Sequence, residues 1–328
     1  MKNLSRRMMG ALAGAALLAL VQAPQALAQG AQGWPNKPIR LVVPLAAGGG
    51  TDIAARVVAQ ALSESLGQQV VVDNKPGAGG VIGVAEAAKA APDGYTFVIG
   101  STTTMAANMW LYKSVSFDPL KDFVPLALLG TIEFAFVVPA TSKVTTLREL
   151  ISTAKAQPGK LSYGFGSSAA LICGELFNMA AGTDIVKVPY RGTPQSLTDL
   201  VADRIQLLCE PLGTSLPFIR DGKLRALAVT GTARDSKAPE IPTMAEAGLK
   251  FEYHTWAGFF APAGTPPAIV QRLAAELVKT QSQPAVAERV RASGFIPKVL
   301  GPQEFGALHR TDYARIEKII KDAGIKPE

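Results

Sequence analysis

The chain has 328 residues, of which 48% are hydrophobic and 18% charged, with a formal net charge of +7, two histidines and two cysteines. That length suits two domains better than one core, and the apolar balance excludes a disordered chain. Two histidines leave few ligands for a histidine-based metal centre, and no His-Glu-x-x-His pattern occurs.

The N-terminus has the layout of an export signal. Lys2, Arg6 and Arg7 form a charged start, Met8 to Val21 is an uncharged apolar run, and Ala26-Leu27-Ala28 supplies small residues for cleavage after Ala28. Ser5-Arg6-Arg7 is only a weak match to a twin-arginine signal. Removing residues 1–28 takes the charge from +7 to +4 and leaves no Lys/Arg-rich run, so nucleic acid is not an expected partner. No apolar run of about 18 residues follows, and the mature chain is expected to be soluble and periplasmic. An oxidising compartment permits a Cys173–Cys209 disulfide, although two buried free thiols suit the sequence nearly as well.

Beyond Trp34-Pro35-Asn36-Lys37-Pro38, strand and helix patterns alternate, which predicts an α/β fold with mostly parallel sheets. Strand Ile39 to Pro44 leads into Leu45-Ala46-Ala47-Gly48-Gly49-Gly50-Thr51-Asp52. The helix Asp52 to Leu66 follows, with Ile53, Val57, Ala61 and Val58, Leu62 as its apolar positions. Glycines allow a tight turn with exposed N–H groups, and Thr51 or Asp52 is placed to cap the helix. The loop reads equally as an anion cradle or as a plain strand-to-helix turn. Strand Gln69 to Val72 leads to a second glycine loop, Asn74 to Gly80, then helix Val81 to Ala91 and strand Tyr95 to Gly100, which ends in Ser101-Thr102-Thr103-Thr104.

Phe123 to Leu129 and Phe134 to Pro139 read as two extended segments with Gly130 between them. A second series then begins: helix Leu147 to Ala156, strand Leu161 to Gly164, loop Phe165 to Ser168, helix Ala170 to Ala181, strand Ile185 to Pro189. Pro194 suits a first helical turn with Thr193 as its cap, and strand Ile205 to Cys209 runs into Glu210-Pro211-Leu212-Gly213-Thr214. Strand Ala226 to Thr230 and a returning extended segment, Trp256 to Ala261, come next. Two crossing segments would form a hinge between lobes. The rest reads as helical, over 266–281, 284–293 and 302–323, with Phe305, Leu308, Ile316 and Ile320 packing the tail on the first lobe.

In open parallel α/β sheets the ligand crevice lies at the carboxyl ends of the strands, which here carry Thr51, Ser101, Thr102, Thr103, Ser167, Ser168 and Thr193. Taken singly, each is a cap or turn residue. No Gly-x-Ser-x-Gly elbow occurs, and Gly77 to Gly83 misses the dinucleotide fingerprint because its third glycine falls one place late. Neither Gly159-Lys160 nor Gly222-Lys223 belongs to a Walker loop. No catalytic residue and no cofactor is expected.

Six stretches in order resemble one family: Pro44 to Asp52, Asn74 to Gly80, Val188-Pro189-Tyr190-Arg191-Gly192, Gly222 to Ala228, Pro242 to Gly248, and Phe260 to Pro267. The chain resembles the Bug, or tripartite tricarboxylate transporter, substrate-binding receptors from about Trp34 to Lys326. The resemblance implies a type II periplasmic binding fold: two lobes, each a mostly parallel sheet flanked by helices, joined by a two-strand hinge. It places lobe 1 at residues 29–131 and 255–328 and lobe 2 at 132–254. It implies a monomer that closes on a small carboxylate and delivers it to membrane permease subunits, and it nominates Leu45, Ala47, Gly49, Gly50, Thr51 and Asp52 on one lobe. Ser167, Ser168 and Ala169 oppose them, with Ser101, Thr102, Tyr190 and Glu210 lining the remainder.

Two departures bear on the ligand. Leu171 stands where the family often has histidine, and Glu210-Pro211 where it often has Asp-Asn. Both remove hydrogen-bonding options and add apolar surface, which points to a mono- or dicarboxylate with an aromatic or otherwise apolar body rather than citrate. Rival readings are a ligand-loaded receptor that docks on a sensor protein and, with less support, an exported α/β enzyme.

Overall fold

The computed structural model describes residues 33–327, so the export signal read at residues 1–28 lies outside it. Two sheets share one long strand. In the first, β1 (Ile39–Val43), β2 (Val70–Asn74) and β3 (Thr96–Ser101) run parallel in the order β2-β1-β3. β4 (Phe123–Pro139) is 17 residues long. Its first half joins the first sheet through β9 (His254–Pro262), which lies antiparallel to both β3 and β4. Its second half joins the other sheet, pairing antiparallel with β7 (Leu207–Pro211) and β8 (Leu224–Val229). β5 (Ser162–Phe165) and β6 (Val186–Pro189) complete that sheet in parallel with β7. This is the expected two-lobed α/β periplasmic binding fold, with β4 and β9 as the two crossing strands.

Helices cover the sheets where the alternation places them. On the first sheet lie α1 (Gly50–Leu66) and α2 (Val81–Ala88), followed by a π turn at Thr103–Ala107 that runs into α3 (Asn108–Leu111). The second lobe carries α4 (Leu147–Ala156), α5 (Ser168–Ala181), α6 (Thr193–Val201) and α7 (Leu212–Arg220). Then come α8 (Pro267–Gln281), α9 (Pro284–Ala292) and α10 (Pro302–Asp322). α1 buries Ala54, Ala55, Val58, Ala59, Leu62 and Leu66 against Ile39, Leu41 and Val43, and α8 adds Leu273 and Leu277. Fully burying a Val or Leu contributes roughly 1.5–3 kcal/mol, so this small-residue face is enough to seat α1 firmly.

Several expectations need correction. Ile53, read as part of the apolar face, is 45% exposed, because the buried stripe of α1 is rotated toward the alanines. Phe123 to Leu129 and Phe134 to Pro139 are one strand, and Gly130 is no break: a Cβ there would stand 2.5 Å from the Ile296 carbonyl oxygen. That carbonyl belongs to β10 (Ile296–Leu300), an antiparallel partner of β4 absent from the helical reading of the tail. Five residues containing Pro297 carry little strand signal of their own, and they become an edge strand only because β4 offers free ladder groups. The tail helix also does more than pack on the first lobe. Phe305 and Leu308 do join that lobe's Val42, Val84 and Phe260, but Ile316, Ile319 and Ile320 enter a cluster with Phe134, Phe177 and Cys173 of the second. At about 1.5 Å per residue the 21-residue helix is long enough to bridge both lobes.

Candidate functional site

After β1, Pro44 starts the turn that the sequence singled out. Gly48 takes φ +85°, a conformation that side chains resist, and the chain then enters α1 with Gly49 as its N-cap. No side chain caps the helix, contrary to the expectation for Thr51 or Asp52. Asp52 instead braces the loop from within. Its buried carboxylate accepts the Gly48 N–H at 2.9 Å, Arg56 Nε at 3.0 Å and Asn74 Nδ2 at 2.9 Å, while Asn74 also donates to the Leu45 carbonyl at 3.1 Å. Burial pushes the Asp52 carboxyl upward, but the bonds from Arg56, Gly48 and Asn74 outweigh it and hold the group below its ordinary value. Asp52 is paired with Arg56, and no side chain caps the first-turn amides of α1.

Leu45 to Gly50, including Ala47, are exposed and Thr51 is half-buried. The two nominated glycines differ sharply. A Cβ on Gly49 meets nothing closer than the Ala46 carbonyl at 3.8 Å, whereas one on Gly50 would stand 2.5 Å from the Ser293 carbonyl. Gly50 is therefore needed for packing. Ser101 and Thr102 are engaged by neighbours: the Ser101 N–H donates to Thr104 Oγ1 at 2.9 Å, and the buried Thr102 hydroxyl accepts the Trp256 N–H at 2.9 Å.

On the second lobe, Ser167 caps α5, accepting the Ala170 N–H at 3.2 Å, and Ser168 and Ala169 form the first turn behind it. Leu171 is buried, and the Ala169 carbonyl accepts the Tyr253 hydroxyl at 2.9 Å. Gly166 lets two loops touch, since a Cβ there would lie 2.3 Å from Gly192 C and Thr193 N. Thr193 is not the cap of α6; Gly192 takes that place, and the Thr193 hydroxyl donates to Glu210 Oε2 at 3.1 Å. Glu210 is 1% exposed, and its other oxygen has no partner. Burial pushes its carboxyl up to about 7, only partly opposed by the Thr193 hydroxyl, so it carries a proton through the lower part of the neutral range. Tyr190 turns onto α6, its hydroxyl bonded to Asp199 Oδ2 at 3.0 Å and its ring beside Pro194, Gln195 and Thr198.

The structure brings part of the nominated set together. Gly50, Thr51 and Pro211 line one cavity of about 480 Å³ with Ile132, Gly213, Thr214, Ser293 and Gly294. Ser167, Ser168 and Tyr190 do not line it; elsewhere on the second lobe Gly166 abuts the Gly192–Thr193 backbone and Thr193 is bonded to Glu210. Gly213 and Thr214, read in the sequence as part of a strand-end stretch, stand in the first turn of α7, and nothing in the sequence places Ser293 and Gly294 beside Gly50. Cys173 of α5 and Cys209 of β7 are joined in a disulfide, which answers the open question of the thiols. His309 is buried, with Nε2 2.9 Å from the Met105 carbonyl oxygen, and is part of the core. Among the described residues no group of three His, Cys, Asp or Glu could hold a metal ion, and no helix is long and apolar enough to cross a membrane.

Two sheets joined by crossing strands, with strand-end loops and helix N-termini between them, define a two-lobed solute-binding receptor of the periplasmic class. The chain belongs to the tripartite tricarboxylate transporter receptor family, whose model matches residues 54–325. It is 35% identical to the Bordetella pertussis protein BugT over 298 residues, covering 89% of this chain and 91% of that protein. An R. palustris protein solved with adipate superposes with a TM-score of 0.79 at 36% identity, covering 90% of this chain and all of the other. MatC from Rhodopseudomonas palustris, solved with bound malate, gives 0.73 at 31% identity, with 88% and 100% covered.

Proposed function

We propose that this chain is exported to the periplasm, binds a small carboxylate with an apolar or aromatic body between its lobes, and delivers it to the membrane subunits of a tripartite tricarboxylate-type permease. The observation that carries the reading is the uncapped N-terminus of α1 at the carboxyl end of β1, with its loop braced by Asp52 and its turn glycines exposed. Relatives solved with adipate and malate support a carboxylate as the occupant. Pro211 supplies apolar surface to the cavity and favours a ligand less polar than citrate, whereas Leu171 is buried and does not line it. The chain acts as a receptor and not as a catalyst, in keeping with relatives described as receptors and binding proteins. We set the lobe boundaries where β4 and β9 cross, near residues 131–132 and 254–255, with ligand closing the lobes about those strands.

Thermal-shift and calorimetric screening of purified protein against aliphatic, aromatic and hydroxylated carboxylates tests this. Apolar-bodied carboxylates should raise the melting temperature and citrate should not. Tight citrate binding with no response to the others would overturn the ligand class.

A further inference from the structure

The cavity that begins at Gly50 and Thr51 continues past Ile132 and Pro211 and along one side of α7 to Arg220 and Lys237. Gly213, Leu216, Pro217 and Arg220 fall three and four residues apart, so they share that side of the helix. From Gly213 to Arg220 the helix rises about 10 Å at 1.5 Å per residue. Between the two ends the wall is apolar, built from Ile132, Pro211, Leu216, Pro217 and Phe295.

The far end is cationic and uncompensated. Arg220 and Lys237 are the charged residues lining this cavity, and neither forms an ion pair among the described residues. Their hydrogen bonds go to carbonyls: Arg220 donates to the Lys237 carbonyl at 3.2 Å, and Lys237 Nζ to the Arg291 carbonyl at 3.0 Å. Those bonds hold the two heads in place without cancelling their charge. Asp221, next to Arg220, pairs with Lys223 Nζ at 3.5 Å, and Asp235, two positions before Lys237, accepts the Lys237 backbone N–H at 2.7 Å and lines with Glu133 an adjoining cavity that Lys237 also borders. Two like charges on one wall repel each other, and an anion between them relieves the repulsion.

We propose that Arg220 and Lys237 form a second anion subsite, so that the ligand carries an anionic group at each end. One end sits at the first-turn amides of α1 and the other at Arg220 and Lys237, with an apolar body lying on Ile132, Pro211, Leu216 and Phe295. This rests on the carboxylate-receptor reading and sharpens it, because it assigns the second charge to a side of the second lobe away from Ser167 and Tyr190.

Calorimetric titration with matched pairs tests it: straight-chain dicarboxylates of graded length, each against the monocarboxylate of equal carbon number. One length of dicarboxylate should bind the wild-type chain at least about tenfold more tightly than its partner, a difference of about 1.4 kcal/mol. The Arg220→Gln, Lys237→Gln double variant should lose that advantage while monocarboxylate affinity stays within about twofold. The charge-preserving pair Arg220→Lys, Lys237→Arg should keep it, which separates charge from the role of these side chains in holding the loop. An unchanged dicarboxylate preference in the Gln variant, or its loss in the charge-preserving one, overturns the subsite and leaves the receptor reading standing. Failure of every carboxylate to bind the wild-type chain overturns the receptor reading itself.

Discussion

At the scale of single residues, Gly49 and Glu210 give the cleanest tests. Gly49→Val places its side chain where only Ala46 is near, so the variant should fold normally and bind carboxylate at least about tenfold more weakly, as read by calorimetry beside a melting curve. Gly50→Val meets the Ser293 carbonyl and should lower stability as well, which makes it the poorer probe. Glu210 predicts a pH dependence of known sign. Its carboxyl titrates near 4.5 when unfolded and near 7 when folded, so between those values the folded chain holds a proton that the unfolded chain has lost. Stability should therefore fall as pH rises from about 4.5 to 7, by about 3 kcal/mol at 1.4 kcal/mol per pH unit. Glu210→Gln keeps the uncharged shape and should flatten that slope in denaturant melts at several pH values. An unaltered slope would assign it to other groups.

At the scale of elements, the disulfide ties α5, whose N-terminus carries Ser167 and Ser168, to β7, whose end carries Glu210 and Pro211. Protein denatured without reductant should show no free thiol, and two after reduction. With the cysteines 36 positions apart, loop-closure entropy puts the loss of stability on reduction at about 4 kcal/mol. Sequence spacing left this bond open because pairing depends on which helix packs on which strand. The same reason explains β10: its ladder partners are 128–131, more than 160 positions upstream, and Pro297 masks the strand pattern. Thr193 departs from its expected capping role for a related cause. A hydroxyl one residue before a proline looks like a cap locally, and only the approach of β7 offers it the Glu210 carboxyl.

At the scale of the whole molecule, β4 and β9 carry the chain between lobes while α10 packs on both. Any closing motion must therefore bend two strands and slide one helix. Small-angle scattering should show a smaller radius of gyration with bound carboxylate than without, and an identical curve with saturating ligand would argue that the lobes do not move. The link from Trp256 Nε1 to Asp312 at 2.7 Å, with Asp312 also bound by Arg315, fixes the middle of α10 against β9. Asp312→Ala should thus destabilise the chain by about 2–4 kcal/mol in a denaturant melt, since it strands a buried indole N–H and a guanidinium.

The sequence by itself determined the class of the molecule. Alternating strand and helix periods, glycine loops at strand ends, six ordered motifs and an export-like N-terminus are all local patterns, and each is legible without knowing what it touches. For Pro44 to Asp52 it left an anion cradle and a plain strand-to-helix turn equally open, and the resemblance to the receptor family favoured the first. Only the tertiary structure decided which groups in those loops are free. Asp52 looked like a cap and is a buried brace; Thr102 and Tyr190 looked available and are bonded to Trp256 and Asp199. Arg220 and Lys237, 17 positions apart, became neighbours through the packing of α7 on the loop after β8. Hydrogen bonds between distant positions leave no periodic trace in a single chain, so the polarity of the site was readable and its partners were not.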